Sequence, residues 1–566
     1  MKQISTDSDT APVSIIHELA SWGNITPRSL HQLKKKAAAQ GKNSGLFGHN
    51  DIRDAYDALR ANGSIRKNEA LETLLHVKPI RSQSGVVIVT LLTMPYPCPG
   101  KCVYCPTEER MPKSYIATEP AAARALALKF DPYTQTRRRI EILERNGHPC
   151  DKIEIIIKGG TWSSYPVDYQ QWFISECFRA MNDVGGRQRD ISLGQPDSPY
   201  NRFVGEEKQA WTRENLFEQQ SINETARHRC IGLTIETRPD WVSIQEIKRL
   251  RSLGVTRVEF GVQSPDDAIL KLIKRGHLTK ASIHATRLLK DAGIKVDYHL
   301  MQGLPGATPT GDLESAQRIF SESDFQPDTI KLYPCVVTPT AKLETWVREG
   351  RYVPYTAEQL VPLLASIKSI VPPYVRIARV IRDIPSQEIS HGSKATNLRQ
   401  AVQEYMKAQG LACRCLRCRE VGHVQSEKLK TQNEKVKYTQ RHYAASGGTE
   451  YFLSYESEDE STLFAFLRLR LPSVQENPII EHIECLRGAA LIRELHTYGQ
   501  LVSINAQDMN ASQHKGLGKK LMEQAETVAR DAGYSKVAVI AGIGVREYYR
   551  KIGYGLEGTY MVKYIV

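Results

Sequence analysis

The sequence predicts an α/β protein with a helical N-terminal region, a partial βα barrel of the TIM type and a smaller α+β domain. Between residues 82 and 372, short β-rich runs alternate with longer helical patterns, which is typical of βα units around a parallel sheet. From residue 441 onward the pattern changes to three strands, a glycine-rich turn, a long amphipathic helix and further short elements. The predicted domains are therefore 1–81, 82–372, a linker at 373–440, and 441–566.

Local patterns predict the elements of each domain in order. Residues 1–81 are predicted to be basic and helical, with a helix start at Thr26-Pro27. Barrel strands are predicted at Gly85–Leu92, Lys152–Ile157, Cys230–Ile235, Arg257–Gly261, Lys295–Leu300 and Asp328–Leu332. Helices are predicted between them at Trp241–Leu253, Lys280–Ala292 and Gly311–Phe320. In the last domain, the predicted strands are Glu450–Tyr455, Leu463–Leu471, Ala489–His496, Lys536–Ile540 and Tyr560–Val566, and the predicted helices are Leu517–Ala532 and Val545–Lys551.

Composition excludes several classes of protein. Hydrophobic residues make up 41% and charged residues 25% of the 566 residues, which is typical of a globular protein and not of a disordered chain. The longest apolar run, Val86 to Met94, is far shorter than the roughly 20 residues of a membrane span. The polar N-terminus has no signal-peptide pattern, so we expect a cytoplasmic protein without a membrane partner. Its 11 cysteines are then expected to be reduced thiols or metal ligands.

The first chemical site is a group of three cysteines. Cys98, Cys102 and Cys105 follow the first predicted barrel strand with the spacing C-x3-C-x2-C. Thiolates hold iron–sulfur clusters, and three ligands for four irons leave one iron open to a cofactor. A structural zinc with a fourth ligand elsewhere is the alternative. In this context the spacing resembles the radical-SAM superfamily, which implies a 4Fe-4S cluster and S-adenosylmethionine.

Polar residues and glycines at the carboxyl ends of the strands support a site there, because βα barrels gather their chemistry at that end. Gly159 and Gly160 let the backbone approach a ligand closely, and the resemblance implies that they take the amino group of S-adenosylmethionine. Glu236 and Gln263 end otherwise apolar strands and are candidate partners of its ribose or amino acid group, although strand-end residues facing water are the alternative. Lys158, a candidate catalytic residue, can meet a carboxylate, as can Arg275.

The second chemical site is a phosphate-binding loop. The pattern Q-x-x-G-x-G begins at Gln513 and leads into an amphipathic helix, so that glycine amides at the helix start can bind an anion. This order, with the aromatic helix that follows, resembles the GNAT acetyltransferases and implies acetyl-CoA. The candidate cofactor-binding residues are Glu494, Leu495, His496, Gln513, His514, Lys515, Gly516, Leu517, Gly518, Lys519 and Tyr549. The resemblance also implies a tyrosine that protonates the thiolate of coenzyme A, either Tyr548 or Tyr549, while the other packs against the sheet.

The third site is predicted to be a structural metal. Cys413, Cys415 and Cys418 lie within six residues, whereas zinc takes four ligands in a tetrahedron. Cys335 and His423 are the candidates for the fourth ligand. Three free thiols in a basic loop are the alternative.

Together these features resemble the catalytic third subunit of Elongator. The resemblance rests on the pairing of the two domains and on the phrases at residues 234–240, 258–264, 275–277 and 548–554. It implies an acyltransferase that converts the wobble uridine of tRNA to 5-carboxymethyluridine, using acetyl-CoA and a 5′-deoxyadenosyl radical derived from S-adenosylmethionine. It also implies an electron donor for the cluster, a prokaryotic form that acts without the other Elongator subunits, and Cys335 as the preferred fourth zinc ligand.

The distribution of charge favours a nucleic acid as the partner. The net charge is +13, of which +4 lies in residues 1–81 and +7 in residues 373–440, while residues 441–566 carry −1. Such basic regions suit a phosphate backbone. The candidate contacts to tRNA are Lys34, Lys35, Lys36, Arg137, Arg138, Arg139, Arg414 and Arg417. A protein lysine acetyltransferase with a structural iron–sulfur domain is the alternative function, and a decayed nucleic-acid-binding module is disfavoured because all the motifs are intact.

Overall fold

The computed structural model describes residues 10–22, 25–39, 48–78, 82, 84–183, 213–423, 436–473, 477–498 and 516–565. The chain begins with four helices, α1 (Ala11–Ala20), α2 (Pro27–Ala39), α3 (His49–Ala61) and α4 (Glu69–Leu75). Their apolar faces form a separate small core that includes Ile16, Leu19, Ile52 and Leu71. The N-terminal region is thus helical, as predicted.

The second part is a curled parallel sheet of seven strands in sequence order. Its strands are β1 (Val87–Leu92), β2 (Lys152–Lys158), β3 (Arg229–Thr237), β4 (Arg257–Gln263), β5 (Lys295–Leu300), β6 (Thr329–Leu332) and β7 (Arg376–Arg379). The described residues pair β1 with β2 alone and β7 with β6 alone, so the barrel is open between its first and last strands. The sheet also extends past the predicted boundary at residue 372, because β7 belongs to it.

Helices alternate with the strands of this sheet. They are α5 (Pro120–Ala127), α6 (Pro132–Arg145), α7 (Val167–Asp183), α8 (Arg213–Asn223), α9 (Ile244–Ser252), α10 (Asp267–Leu272), α11 (Thr279–Asp291), α12 (Pro309–Ser321), α13 (Leu343–Arg348) and α14 (Ala357–Ile370). In β2, Ile153, Ile155 and Ile157 are buried, whereas Lys152, Glu154 and Lys158 alternate with them and line an internal cavity. The period of two places the apolar side chains against the helices and leaves the inner face polar.

The linker contributes two helices, α15 (Leu398–Ala408) and α16 (Leu416–Arg419). The last domain is a second sheet in the order β13-β14-β12-β11-β10-β9-β8. Its strands are β8 (Val436–Ala445), β9 (Gly448–Ser457), β10 (Leu463–Leu471), β11 (Ala489–Thr497), β12 (Lys536–Val539), β13 (Gly555–Glu557) and β14 (Tyr560–Tyr564). Its helices are α17 (Pro478–His482), α18 (Leu517–Asp531) and α19 (Arg546–Arg550). Only β11 and β12 pair in parallel among the described strands of this sheet, and α18 packs Leu521, Met522 and Ala525 against it.

The second sheet covers the amino ends of the barrel strands. His496 Nε2 lies 2.9 Å from the carbonyl oxygen of Ser84, which precedes β1. Arg493 donates to the carbonyl oxygen of Ile294, just before β5, at 3.0 Å. Because the predicted cofactor residues of the barrel lie at the opposite, carboxyl ends of its strands, the barrel interior separates the two predicted sites. In the described parts of the chain, none of the helices combines the length and apolarity that a bilayer span requires.

Candidate active site

One cavity of about 880 Å³ runs through the inside of the barrel and continues to the second sheet. At the carboxyl ends of the barrel strands it is lined by Tyr104, Lys158, Glu236 and Gln263. At the second sheet the lining residues are Glu494, Leu495, His496, Gly516, Gly518, Lys519, Tyr548 and Tyr549. Residues predicted for two separate cofactors therefore line a single space.

The three cysteines that follow β1 form a loop against a buried arginine. Arg275 Nη1 donates to Cys102 Sγ at 3.5 Å and Nη2 donates to the carbonyl oxygen of Gly261 at 2.7 Å. A hydrogen bond from Cys105 and the charge of Arg275 lower the pKa of Cys102 to about 4, although burial opposes the shift. Arg275 was expected to meet a carboxylate; here its charge stabilises a thiolate instead. Three thiols with one compensating cation suit an iron–sulfur cluster.

The same loop packs against a second buried arginine, Arg238. A Cβ on Gly100 would lie 2.5 Å from Arg238 Nη1, so the backbone approaches this arginine as closely as glycine allows. Arg238 Nη1 is buried and has no hydrogen-bond partner within the described residues. An unused buried donor beside the thiols indicates that the loop is shaped around something besides the protein itself.

The two glycines after β2 are required by their surroundings. A Cβ on Gly159 would lie 1.9 Å from Thr93 Oγ1, and a Cβ on Gly160, where φ is +86°, would lie 3.0 Å from the carbonyl oxygen of Lys113. Neither position accepts a side chain without a shift of its neighbours. Packing against Thr93 and Lys113 thus accounts for both glycines, and their role in binding S-adenosylmethionine stays a prediction.

Glu236 and Gln263 end β3 and β4 at the same end of the barrel. Glu236 accepts a hydrogen bond from Tyr115 OH and lies 3.8 Å from His299 Nδ1. Gln263 adopts φ of +68°, and its buried Oε1 has no partner in the described part of the chain. Both side chains line the cavity, and the unpaired amide oxygen of Gln263 is available to a ligand.

A buried ionic cluster lies deeper in the barrel and was not predicted from the sequence. Glu259 contacts Lys158 Nζ and Lys331 Nζ, and His299 Nε2 lies 3.3 Å from its carboxylate. Burial alone would raise the pKa of Glu259, but Lys158 and Lys331 hold it well below its usual range. Lys158 therefore meets a carboxylate of the protein itself, and its catalytic role stays a prediction. The sequence signal that could have indicated this cluster is the presence of charged residues at alternate positions in the otherwise apolar strands β4, β5 and β6.

The residues at the end of β11 have structural partners. Glu494 pairs with Lys295 at 3.0 Å and with Arg468 at 3.0 Å, and these cations lower its pKa to about 2 against the effect of burial. The ring of His496 packs on Tyr498 at 4.3 Å between centroids, in addition to its contact with Ser84. Glu494 and His496 thus make contacts between the two domains. Leu495, between them, contributes an apolar side chain to the cavity wall.

The start of α18 agrees with the predicted anion-binding turn where it is described. Gly516 has φ of +69°, and a Cβ on Gly518 would lie 3.3 Å from Tyr548 OH. Leu517 is buried in the core of the domain, and Lys519 is exposed, 4.0 Å from Glu523. Gln513, His514 and Lys515 lie outside the described residues.

The two candidate tyrosines have different surroundings. Tyr549 is 6% exposed and packs into the core of the second domain, whereas Tyr548 is 39% exposed and faces the cavity beside Gly518. Burial raises the pKa of each phenol. Both tyrosines line the cavity, and Tyr548, the more exposed of the two, is the better placed to give a proton to a group there.

The three linker cysteines converge, but without the fourth ligand that we expected. The Sγ atoms of Cys413, Cys415 and Cys418 all lie within 4.8 Å of one another, close enough for one ion. Cys335 is not part of this group; it packs in a separate apolar cluster that includes Val103 and Val337. This geometry does not support Cys335 as the fourth ligand. His423 is also outside the group, with Nε2 3.3 Å from Glu420.

The predicted RNA contacts divide by exposure and pairing. Lys34 is buried in the N-terminal core, which is the opposite of what a phosphate contact needs, and Lys36 pairs with Glu18 at 3.2 Å, while Lys35 is exposed. On α6, Arg137 pairs with Glu141, Arg138 lies 4.0 Å from the same carboxylate, and Arg139 is half-buried. Arg414 pairs with Glu460, whereas Arg417 lines the cavity.

Comparison with known proteins adds family relationships. The Radical SAM superfamily matches residues 94–317, and the Radical_SAM C-terminal domain matches residues 327–408. The chain is 44% identical over 508 residues to the tRNA uridine(34) acetyltransferase of Methanocaldococcus jannaschii, covering 88% of each. It is 38% identical over 547 residues to human Elongator complex protein 3, covering 94% of this chain and 93% of that protein. The solved structure of archaeal Methanocaldococcus infernus Elp3 with an N-terminal deletion matches with TM-score 0.68 and 41% identity, covering 85% of this chain and 99% of that one.

Proposed function

Because the chain belongs to the family of the tRNA uridine(34) acetyltransferases and Elongator complex protein 3, we propose that it is a radical-SAM enzyme that modifies the wobble uridine of tRNA. We further propose that acetyl-CoA is the second substrate and 5-carboxymethyluridine the product. The observation that carries this proposal is the single cavity, which is lined by the predicted cofactor residues of both domains. An acetyl group and a radical generated in different domains need such a shared space.

On the barrel side, Cys98, Cys102 and Cys105 would hold the 4Fe-4S cluster, with Arg275 offsetting part of the thiolate charge. When bound, the cluster supplies an electron to S-adenosylmethionine and so a 5′-deoxyadenosyl radical. Gly159, with its neighbouring glycine, would expose backbone to the amino acid part of that cofactor. Glu236 and Gln263, at the ends of β3 and β4, would orient the ribose or amino acid group of S-adenosylmethionine.

On the other side, the glycines that begin α18 would bind the phosphates of acetyl-CoA at the positive end of the helix. Tyr548 would protonate the departing thiolate, since its raised pKa keeps the phenol protonated at neutral pH. The barrel interior sets the distance to be crossed. Strand β2 has seven residues, so the route is about 20 Å long at 3.3 Å per residue. The pantetheine arm of coenzyme A, comparable to about five extended residues or roughly 17 Å, is of that order.

We also propose a structural zinc on Cys413, Cys415 and Cys418, since three convergent thiols are the donor set that zinc favours. We propose that the enzyme works without other Elongator subunits. It would still need an external electron donor. A tRNA substrate would place the activity in the cytoplasm.

The test is nucleoside mass spectrometry of tRNA incubated with anaerobically reconstituted protein, reductant, S-adenosylmethionine and acetyl-CoA. We expect 5-carboxymethyluridine with the wild type and none with Cys102→Ser, while Cys150→Ser, a buried thiol far from the loop, behaves as wild type. Unmodified tRNA from fully reconstituted protein would refute the proposal. Stimulation of acetyl-CoA turnover by basic peptides and not by tRNA would favour a protein lysine acetyltransferase.

A further inference from the structure

Arg417 lies on α16, between two of the linker cysteines, and its side chain lines the shared cavity. The segment is fixed on both sides of it. The amide of Leu416 donates to the carbonyl oxygen of Val375 at 3.0 Å, and the amide of Cys418 donates to that of Cys415 at 3.0 Å. The short helix therefore holds the guanidinium at the cavity wall and does not leave it on a mobile surface loop.

The other arginines on this part of the wall have carboxylate partners. Arg376 pairs with Glu420, Arg379 with Asp383 at 2.7 Å, and Arg382 with Glu119 at 2.7 Å. Across the described ranges of the chain, no ion pair or hydrogen bond engages the side chain of Arg417. This asymmetry sets Arg417 apart from the arginines whose charge the fold itself neutralises.

Arg417 is half-buried and has no carboxylate partner among the described residues. A half-buried cation of this kind costs free energy that a bound anion would offset.

The segment after α16 meets the second sheet at a different strand from the start of α18. Strand β11 lies between β10 and β12 in the second sheet. The start of α18 lies next to the end of β11 and next to Tyr548. Tyr548 belongs to α19, which follows β12. The segment after α16 instead meets the start of β10, where the amide of Val421 donates to the carbonyl oxygen of Leu463 at 3.2 Å. Arg417 thus approaches the cavity from the side of β7 and β10, where the barrel is open.

We propose that Arg417 binds a backbone phosphate of the RNA strand whose uridine enters the cavity. The inference rests on the proposed function and adds to it a specific contact and a task for the cysteine-bearing segment, which is to hold that contact in place. A guanidinium suits the role because its planar fork can give two parallel hydrogen bonds to a phosphate.

The experiment compares Arg417→Gln, Arg417→Lys and the control Arg227→Gln in the full-length protein. Arg227 is exposed and paired with Glu144 at 3.0 Å, does not line the cavity and is not among the candidate contacts to tRNA. For each variant we would measure the affinity for tRNA at several salt concentrations, the KM for acetyl-CoA and the zinc content.

We expect Arg417→Gln to weaken tRNA binding about tenfold and to reduce the slope of log K against log salt by about 0.7 to 0.9, the amount for one phosphate contact. Arg417→Lys should recover part of the affinity, because it restores the charge without the fork. Arg227→Gln should stay within about twofold of the wild type, and zinc content and KM should not change in any variant.

Three results would overturn the inference while leaving the proposed function intact. In the first, Arg417→Gln binds tRNA as the wild type does. In the second, the KM for acetyl-CoA rises with tRNA affinity unchanged, which would assign the phosphate to the coenzyme. In the third, zinc content falls together with tRNA affinity, which would assign Arg417 to the metal site. Failure of the wild type to bind or modify tRNA would instead refute the proposed function.

Discussion

Replacing Asp328 by asparagine removes one negative charge from a buried network that joins the two sheets. Asp328 lies at the amino end of β6 and is 1% exposed. It accepts hydrogen bonds from Arg493 at 2.5 and 3.0 Å, and Arg468 and Lys290 lie 3.6 and 3.8 Å away. In the wider network, four buried cations, namely Lys290, Arg468, Arg470 and Arg493, face the four anions Asp291, Asp328, Glu450 and Glu494. The partly exposed Lys295 also pairs with Glu494.

The expected loss follows from this balance. The Asp328→Asn substitution would keep the size of the side chain but leave one buried positive charge without compensation, and breaking a buried pair in this way costs about 3–5 kcal/mol. For a cooperative unit of about 150 residues, each kcal/mol corresponds to about 2–4 °C, so we expect a fall in Tm of about 10 °C. The control is Asp383→Asn, because its pair with Arg379 is exposed on both sides and is worth at most about 1 kcal/mol.

Differential scanning calorimetry over a range of pH measures both effects. Burial would raise the pKa of Asp328, but Arg493, Lys290 and Arg468 hold it well below its usual range. A carboxyl with a depressed pKa stabilises the fold above its unfolded pKa of about 3.9 and loses that contribution as the pH falls. The difference in Tm between wild type and Asp328→Asn should therefore shrink below about pH 4. A loss of less than about 1 kcal/mol at neutral pH would refute the reasoning.

Further predictions concern the candidate sites. Cys415→Ser should lower the zinc content below half of the wild-type level, whereas Cys335→Ser should leave it unchanged; equal loss in both would restore Cys335 as a ligand. Tyr548→Phe should slow acetyl-CoA turnover by about 10²-fold, as expected for a lost general acid, whereas Tyr549→Phe should affect Tm more than turnover. A larger loss of turnover in Tyr549→Phe than in Tyr548→Phe would assign the general acid to Tyr549. Gly159→Ala should abolish cleavage of S-adenosylmethionine, because the added Cβ has no space, and normal cleavage would show that this backbone does not bind it.

Most strands were predictable because their local signal is strong. Strand β5 was predicted with the same bounds as observed, and β10 likewise, since each is a compact β-rich run. Strand β7 was missed because its four residues, Arg-Ile-Ala-Arg, carry too little apolar periodicity. Strand β8 was missed because it is a largely polar strand at the edge of its sheet. The existence of such edge elements depends on partners elsewhere in the chain.

The motifs of the candidate site could be predicted from the sequence, but the contacts between distant residues could not. The cysteine spacing and the glycines after β2 are local, so they could be read directly from the sequence. The partner of Lys158 is Glu259, about a hundred residues away, and Cys335 was assigned to a metal from which the fold separates it. Charge type alone did not reveal that Glu236 and Glu259 face the same cavity.

The sequence by itself determined which chemistries the chain carries, because thiolate spacing, bare glycine backbone and helix starts act over a few residues. The tertiary structure decided that two predicted cofactor sites face one cavity, since the second sheet is held across the amino ends of the barrel strands by buried charges from both domains. It also decided which arginines are neutralised by the fold and which, like Arg417, are left to a ligand. Burial and long-range ion pairing make those choices, and neither is encoded in any short stretch of residues.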